Sequence, residues 1–232
     1  MGIRAAVINT SIGFLFRVFC RIEDRDLRRL PLSGPAILIS NHTSNLEGPL
    51  FYVRLRPRTT IAMAKIELWK FFVTRMIMEA WKAVPVRRGR LDRNALARCR
   101  RVLTKKDFLC IAPEGRRSKD GTLLRGQPGA AWFAADKGIP VYPMVQWGCR
   151  DILHELAHLR RPRLTIKVGP PFLVRTPEGV KAHGDELQAM ADEMMYEMAA
   201  QMPVEYRGYY ADATKKTTRY LVFLEEGAIK SN

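Results

Sequence analysis

The chain has only four cysteines in 232 residues, at positions 20, 99, 110 and 149, and no two of them form a C-x-x-C pair. That spacing excludes a zinc ribbon or a dithiol redox motif. A chain of this length does not need disulfides, so the thiols are expected reduced, in a cytosolic compartment. Long uncharged apolar runs are missing too, so a membrane-spanning helix is not expected. No A-x-A-type cleavage site follows the apolar N-terminus, so no signal peptide is expected. Ala6 stands where an N-myristoylation pattern needs Ser or Thr. The absence of G-x-x-x-x-G-K-[ST] disfavours a nucleoside triphosphatase. Acidic residues are scarce: 23 Asp and Glu face 39 Lys and Arg, a net charge of +16. Such an excess implies an anionic partner, whether nucleic acid, a membrane surface or a small anionic substrate, and it also fits a solvated basic surface. The interleaved aromatics of an RNA-binding sheet are not apparent.

Hydrophobic residues make up 47% of the chain, enough for a sizeable core. Six short apolar runs lie between turn signals: AILIS (36–40), TIAMA (60–64), AVPV (83–86), FLCIA (108–112), VYPMV (141–145) and LTIKV (164–168). Runs that are apolar at nearly every position suit strands buried on both faces. Helical patterns alternate with them, notably residues 92–107 and the Met-rich stretch 180–202. This predicts an α/β fold with a mostly parallel central sheet flanked by helices, and ligands at the carboxyl ends of strands. The expected divisions are residues 1–30, an interfacial helical segment; 31–202, the main domain; and 203–232, a C-terminal extension. Near the start, Phe14, Leu15, Val18 and Phe19 stand beside Arg4, Arg17 and Arg21. That suits an amphipathic helix lying on a membrane, or a terminal helix packed on its own core. The stretch 67–82, with Trp69, Phe71, Phe72, Met76, Met78 and Trp81, carries the same two readings, and core packing is expected to claim part of it.

Polar signatures follow three of the expected strands. The first is SNHTSNLEGP (40–49). Pro49 favours a helix starting near Gly48, which leaves His42 on the preceding loop with Glu47 in reach of its ring. A carboxylate on one ring nitrogen fixes the tautomer and frees the other to take a proton. The same letters also read as a capping box, Ser44 to Glu47. The second signature follows AVPV: Arg87, Arg88 and Gly89. The third is PEGRRS, in which Glu114, Gly115, Arg116, Arg117 and Ser118 offer amides, a hydroxyl and guanidinium forks. Those donors suit a phosphate, with Arg88 completing the clamp. A charged surface loop is the plainer reading. HELAH (154–158) matches the zinc-protease pattern, with His154 and His158 as ligands and Glu155 as base. Its continuation, LRRPRL, supplies no third histidine, and a surface helix carrying two histidines reads it better.

NHTSNLEG, VPVRRG, PEGRRS and GIPVYPM, in this order over residues 35–170, resemble the blocks of the glycerolipid acyltransferase family, the bacterial 1-acylglycerol-3-phosphate acyltransferases among them. The resemblance implies His42 as the catalytic base, with Glu47 where Asp is usual. It implies Arg88, Glu114, Gly115, Arg117 and Ser118 at the acceptor phosphate, with Arg116 in place of Thr, and Ile139, Pro140 and Val141 near the acyl chain. The implied reaction moves a fatty acyl group from acyl-CoA or acyl-carrier protein to a lysophospholipid hydroxyl. Phosphatidic acid is the expected product; glycerol 3-phosphate or another lysophospholipid is the alternative acceptor. No cofactor or metal and no nucleic acid is implied, and the expected place is the cytoplasmic face of an anionic membrane.

Overall fold

The computed structural model describes residues 3–87, 92–135, 138–176 and 183–225. All six apolar runs form strands: β2 (Ala36–Ile39), β3 (Thr60–Lys65), β4 (Val84–Val86), β5 (Phe108–Ile111), β6 (Val141–Trp147) and β7 (Arg163–Val168). Three short strands join them, β1 (Arg21–Glu23), β8 (Phe172–Val174) and β9 (Leu221–Phe223). Along the sheet the order is β1-β7-β6-β2-β5-β3-β4, with β8 on β6 and β9 on β8. The stretch β6-β2-β5-β3-β4 is parallel throughout, while β7 and β8 run antiparallel to β6. The carboxyl ends of these five parallel strands therefore share one edge, where the polar signatures of the sequence emerge.

The continuous apolar strands conceal a two-residue alternation that serves two cores. Ile37 and Ile39 of β2, with Leu109 and Ile111 of β5, face helices α4 (Arg93–Thr104), α5 (Pro128–Ala135) and α7 (Asp185–Ala200). Ala36, Leu38 and Phe108 face the opposite way, toward α1 (Ile3–Phe19), α2 (Glu47–Arg54) and α6 (Ile152–Ala157). Helix α4 starts where the Asp92 side chain accepts from Ala95 N–H at 3.0 Å, an N-cap. It buries Ala95, Cys99 and Leu103 and leaves its arginines in water.

The N-terminal and C-terminal segments are woven into the sheet through β1 on β7 and β9 on β8. Residues 203–225 also lean on the site edge. Leu123 N–H donates to Tyr206 O at 2.9 Å, and Tyr209 N–H donates to Leu123 O at 3.0 Å. Gly208 lies between these bonds at φ +48°, and a Cβ there would stand 2.4 Å from Leu123 O, so only glycine fits. Tyr210 is buried, its hydroxyl donating to Asp192 at 2.6 Å and accepting from Gly126 N–H at 2.9 Å.

The stretch 67–82 is buried only in part, as expected, with Trp69 and Met78 half-buried. Helix α3 (Phe72–Ala80) buries none of its residues, and only Trp81, just past its end, enters the interior. Trp81 stacks on Tyr52 at 4.2 Å between centroids and donates its indole N–H to Asn9 of α1 at 2.8 Å. With that one anchor made, Phe71, Phe72, Val73 and Met76 remain exposed beside Ile3, Val7, Phe14 and Leu15 of α1.

Candidate active site

Asn41 follows β2, and its side-chain amide acts as one more rung of the ladder. The β2–β6 pairing ends at Ile39 opposite Pro143. Beyond it, Asn41 Oδ1 accepts from Gln146 N–H and Asn41 Nδ2 donates to Gln146 O, both at 2.8 Å. This double bond pins the strand end just before His42. The Gln146 side chain then reaches back to the same loop, donating to Glu47 Oε2 at 2.5 Å and to Thr43 Oγ1 at 3.0 Å.

Glu47 opens helix α2 and is almost wholly buried. It bonds His42 Nδ1 and accepts from Thr43 N–H at 3.0 Å and Ser44 N–H at 3.3 Å. With donors on every side the carboxylate only accepts, so His42 carries its hydrogen on Nδ1 and presents Nε2 as the acceptor. The capping box from Ser44 to Glu47 is not formed: Leu46 is the N-cap of α2, with no side-chain cap bond, and the Glu47 carboxylate holds amides of the preceding loop instead. Ser44 Oγ meanwhile accepts from Leu46 N–H at 3.1 Å. Helix α2 starts at Glu47, so Pro49 falls in its first turn, where its missing N–H costs nothing. His42 itself is a quarter exposed, 25% by side-chain surface.

The PEGRRS loop turns its polar groups in two directions. Glu114 is buried, with one oxygen accepting from His42 N–H and the other from Leu124 N–H, each at 2.8 Å. Burial pushes its carboxyl up to about 7, against the pull of those two amides, and the nearby Glu47 charge adds to the rise. Ser118 is also buried: its N–H donates to His42 O at 2.7 Å and its hydroxyl to Asp120 at 2.7 Å. These two residues clamp the histidine loop, and their polar groups are taken up by bonds within the protein rather than left free for a phosphate. Arg116 and Arg117 stay exposed.

A cavity of about 1360 Å³ opens over the carboxyl edge of the sheet. His42, Glu47, Glu114, Gly115 and Arg116 line it; Arg117 does not. Arg87, Arg125 and Lys65 add further cations, and Phe51, Met63, Leu96, Trp132 and Phe133 supply an apolar wall. Arg88 lies outside the described residues. Ile139, Pro140 and Val141 are not on the wall: Val141 begins β6 at the amino edge of the sheet, opposite the cavity, so an acyl-chain contact does not fall on them. Cys110 also lines the cavity, and burial pushes its thiol up to about 12, so it is not a thiolate nucleophile at neutral pH. Sequence reasoning missed Gln146. The available signal was a polar residue at the carboxyl end of an otherwise apolar strand.

The HELAH segment forms the six-residue helix α6, far too short for the zinc-protease helix. His154 and His158 are exposed, their rings tilted with centroids 4.5 Å apart, and His158 Nδ1 is tied to His154 O at 2.9 Å. Glu155 sits 3.5 Å from His154. Among the described residues no three His, Cys, Asp or Glu side chains gather as a metal site.

Over 138 residues the chain is 30% identical to the chloroplastic 1-acyl-sn-glycerol-3-phosphate acyltransferase LPAT1 of Arabidopsis thaliana, covering 58% of this chain and 38% of that one. With the alpha 1-acyl-sn-glycerol-3-phosphate acyltransferase of Bos taurus it shares 26% over 193 residues, 81% of this chain and 64% of the relative. It thus spans less than two thirds of either relative. The crystal structure of the LPA acyltransferase PlsC from Thermotoga maritima shares the fold, with a TM-score of 0.62 at 21% identity over 92% of this chain and 80% of that one. The family model described as Acyltransferase matches residues 21–147, from β1 through the end of β6, so more than half of the chain carries its pattern and the chain belongs to the Acyltransferase family.

Proposed function

We propose that the chain transfers a fatty acyl group from acyl-CoA or acyl-carrier protein to the free hydroxyl of a 1-acylglycerol 3-phosphate, giving phosphatidic acid. The observation that carries this reading is the His42 imidazole, held on Nδ1 by buried Glu47 and presented to the cavity. As the acceptor oxygen attacks the thioester carbonyl, His42 Nε2 takes its proton. The tetrahedral intermediate collapses, the acyl–sulfur bond breaks, and the leaving thiolate takes the proton back from the imidazolium. The new ester and the free thiol account for every atom. No side chain need carry the acyl group, in keeping with the protonated Cys110. The reading calls on no metal or prosthetic group; the thioester is a co-substrate. Arg116 on the wall, with Arg87, Arg125 and Lys65, gives the acceptor phosphate its counter-charges, and the apolar wall suits an acyl chain.

The exposed apolar side chains of α1 and α3 support seating on a bilayer, with Arg4 and Arg75 at the headgroups. In this reading the protein sits on the cytoplasmic face of the membrane without crossing it. No described helix is long and apolar enough to span one.

The test is thioester consumption by the His42→Ala protein with 1-acylglycerol 3-phosphate as acceptor. Turnover should fall by about 10²–10⁴-fold, the usual share of a positioned base, with an unchanged circular dichroism spectrum. Turnover like that of the wild type would sink the reading. The same assay with glycerol 3-phosphate and with a phosphate-free monoacylglycerol identifies the acceptor.

A further inference from the structure

Helix α4 is charged at its own expense. Arg98, Arg101 and Lys105 recur at three- and four-residue spacing on its exposed side, and Arg93 stands in its first turn. Like charges at that spacing repel, and a cation at a helix N-terminus opposes the macrodipole. Among the described residues no carboxylate forms an ion pair with Arg93, Arg98 or Arg101, and within the helix there is no acid at all. Arg101 and Lys105 stand at the C-terminal end, where cations suit the helix dipole, but Arg93 at the other end and the repulsion among the cations gain the helix nothing, and an anionic partner accounts for them.

Two further observations select the partner. First, α4 borders the site: Ala95 and Leu96 of its first turns line the cavity that holds His42, as does Trp132, which lies under the Arg100 guanidinium at 4.8 Å. Second, α4 packs on the sheet face opposite α1, and none of its large apolar side chains is exposed. A helix that lies in a bilayer needs an outward apolar face, and α4 lacks one. Once α1 and α3 are seated on a membrane, α4 looks into water.

We infer that the exposed Arg98–Arg101–Lys105 face of α4 is the docking surface for an acidic acyl carrier protein, which delivers its thioester arm into the cavity past Ala95 and Leu96. This rests on the acyltransferase reading above and specifies its donor. The chemistry of transfer is unchanged: the carrier's acyl–sulfur bond breaks, the ester forms, and the carrier's thiol leaves with the proton.

The experiment compares acyl carrier protein and CoA loaded with the same fatty acid. Both donate to 1-acylglycerol 3-phosphate, with the full chain on vesicles of neutral and anionic phospholipid. The variants are R98E/R101E/K105E and the milder R98Q/R101Q/K105Q. The reversed variant should raise KM for the acyl carrier protein at least tenfold and abolish its salt dependence, with kcat/KM for acyl-CoA within twofold of wild type. The glutamine variant should fall between. Equal losses with both donors in the glutamine variant would assign the face to nucleotide phosphates or to the fold and overturn the inference. So would an unchanged KM for the carrier protein, or a wild type that uses acyl-CoA and rejects the carrier. Activity with neither donor would overturn the acyltransferase reading, and this inference with it.

Discussion

Replacing Asn41 with alanine removes two hydrogen bonds where water cannot replace them. The Asn41 side chain pairs with both the N–H and the C=O of Gln146 at 2.8 Å, and neither residue is more than 2% exposed. A buried polar group left without its partner costs about 1–3 kcal/mol. Two such groups on one residue, partly relaxed by local movement, make about 2–4 kcal/mol. In a domain of this size each kcal/mol moves Tm by about 2–4 °C, so Asn41→Ala should melt roughly 5–15 °C lower. The loss should also reach the chemistry. Gln146 holds Glu47, Glu47 holds His42, and the loop between them is pinned by Asn41, so kcat should fall while acceptor KM changes little. Asn41→Asp separates shape from bonding: it keeps an acceptor for the Gln146 N–H but sets a carboxylate oxygen against the Gln146 carbonyl. It should therefore melt below wild type despite its equal size. Calorimetry and initial rates on the same preparations decide the matter. An Asn41→Ala protein that melts within 2 °C of wild type and turns over normally would refute the idea that this amide holds the strand end in register.

Glu47→Gln replaces one acceptor oxygen with a donor, so either His42 Nδ1–H or the Gln146 amide faces an N–H; kcat should drop about ten- to a hundredfold, less than on loss of His42. Unchanged turnover would leave Glu47 as a brace of the 43–44 loop alone. Glu114 binds its proton more tightly in the folded state, up to about 7 against 4.5 for a free carboxyl. The folded state therefore holds the extra proton between those values. Its contribution, about 3 kcal/mol, is fully present below pH ~4.5 and is lost as pH rises through about 7. Urea unfolding at pH 5, 6, 7 and 8 should show a stability slope in wild type that Glu114→Gln flattens; parallel curves would contradict it.

Much of the framework was legible because burial on both faces leaves a strong mark. The runs that became β2 through β7 are apolar at nearly every position, and the carboxyl edge then follows from parallel pairing. Strands β1, β8 and β9 were not legible: RIE, FLV and LVF are three residues each, too short to show a period. At the site, His42 and Glu47 were found from spacing, because five residues across a helix start bring the two side chains together. Glu114 and Ser118 were read as ligands for phosphate, but a loop sequence does not say which way each side chain turns. The partners that decided it, the amides of His42 and Leu124 and the Asp120 carboxylate, become neighbours only in the fold. Gln146 is 99 residues from Glu47, and no local pattern connects them. Pro140 was read beside the acyl chain, yet it precedes β6 at the wrong edge.

The bonds from Tyr206 and Tyr209 to Leu123 carry a consequence for biosynthesis. Synthesis runs from the N-terminus, so residues 203–225 are the last of the described residues to leave the ribosome. Until they do, the loop from Glu114 to Leu124 lacks its brace, and Tyr209 is absent from the cavity wall. The nascent chain therefore holds His42 and strands β1 through β8 before it holds a finished site. The cavity wall is complete only with the final stretch of these residues.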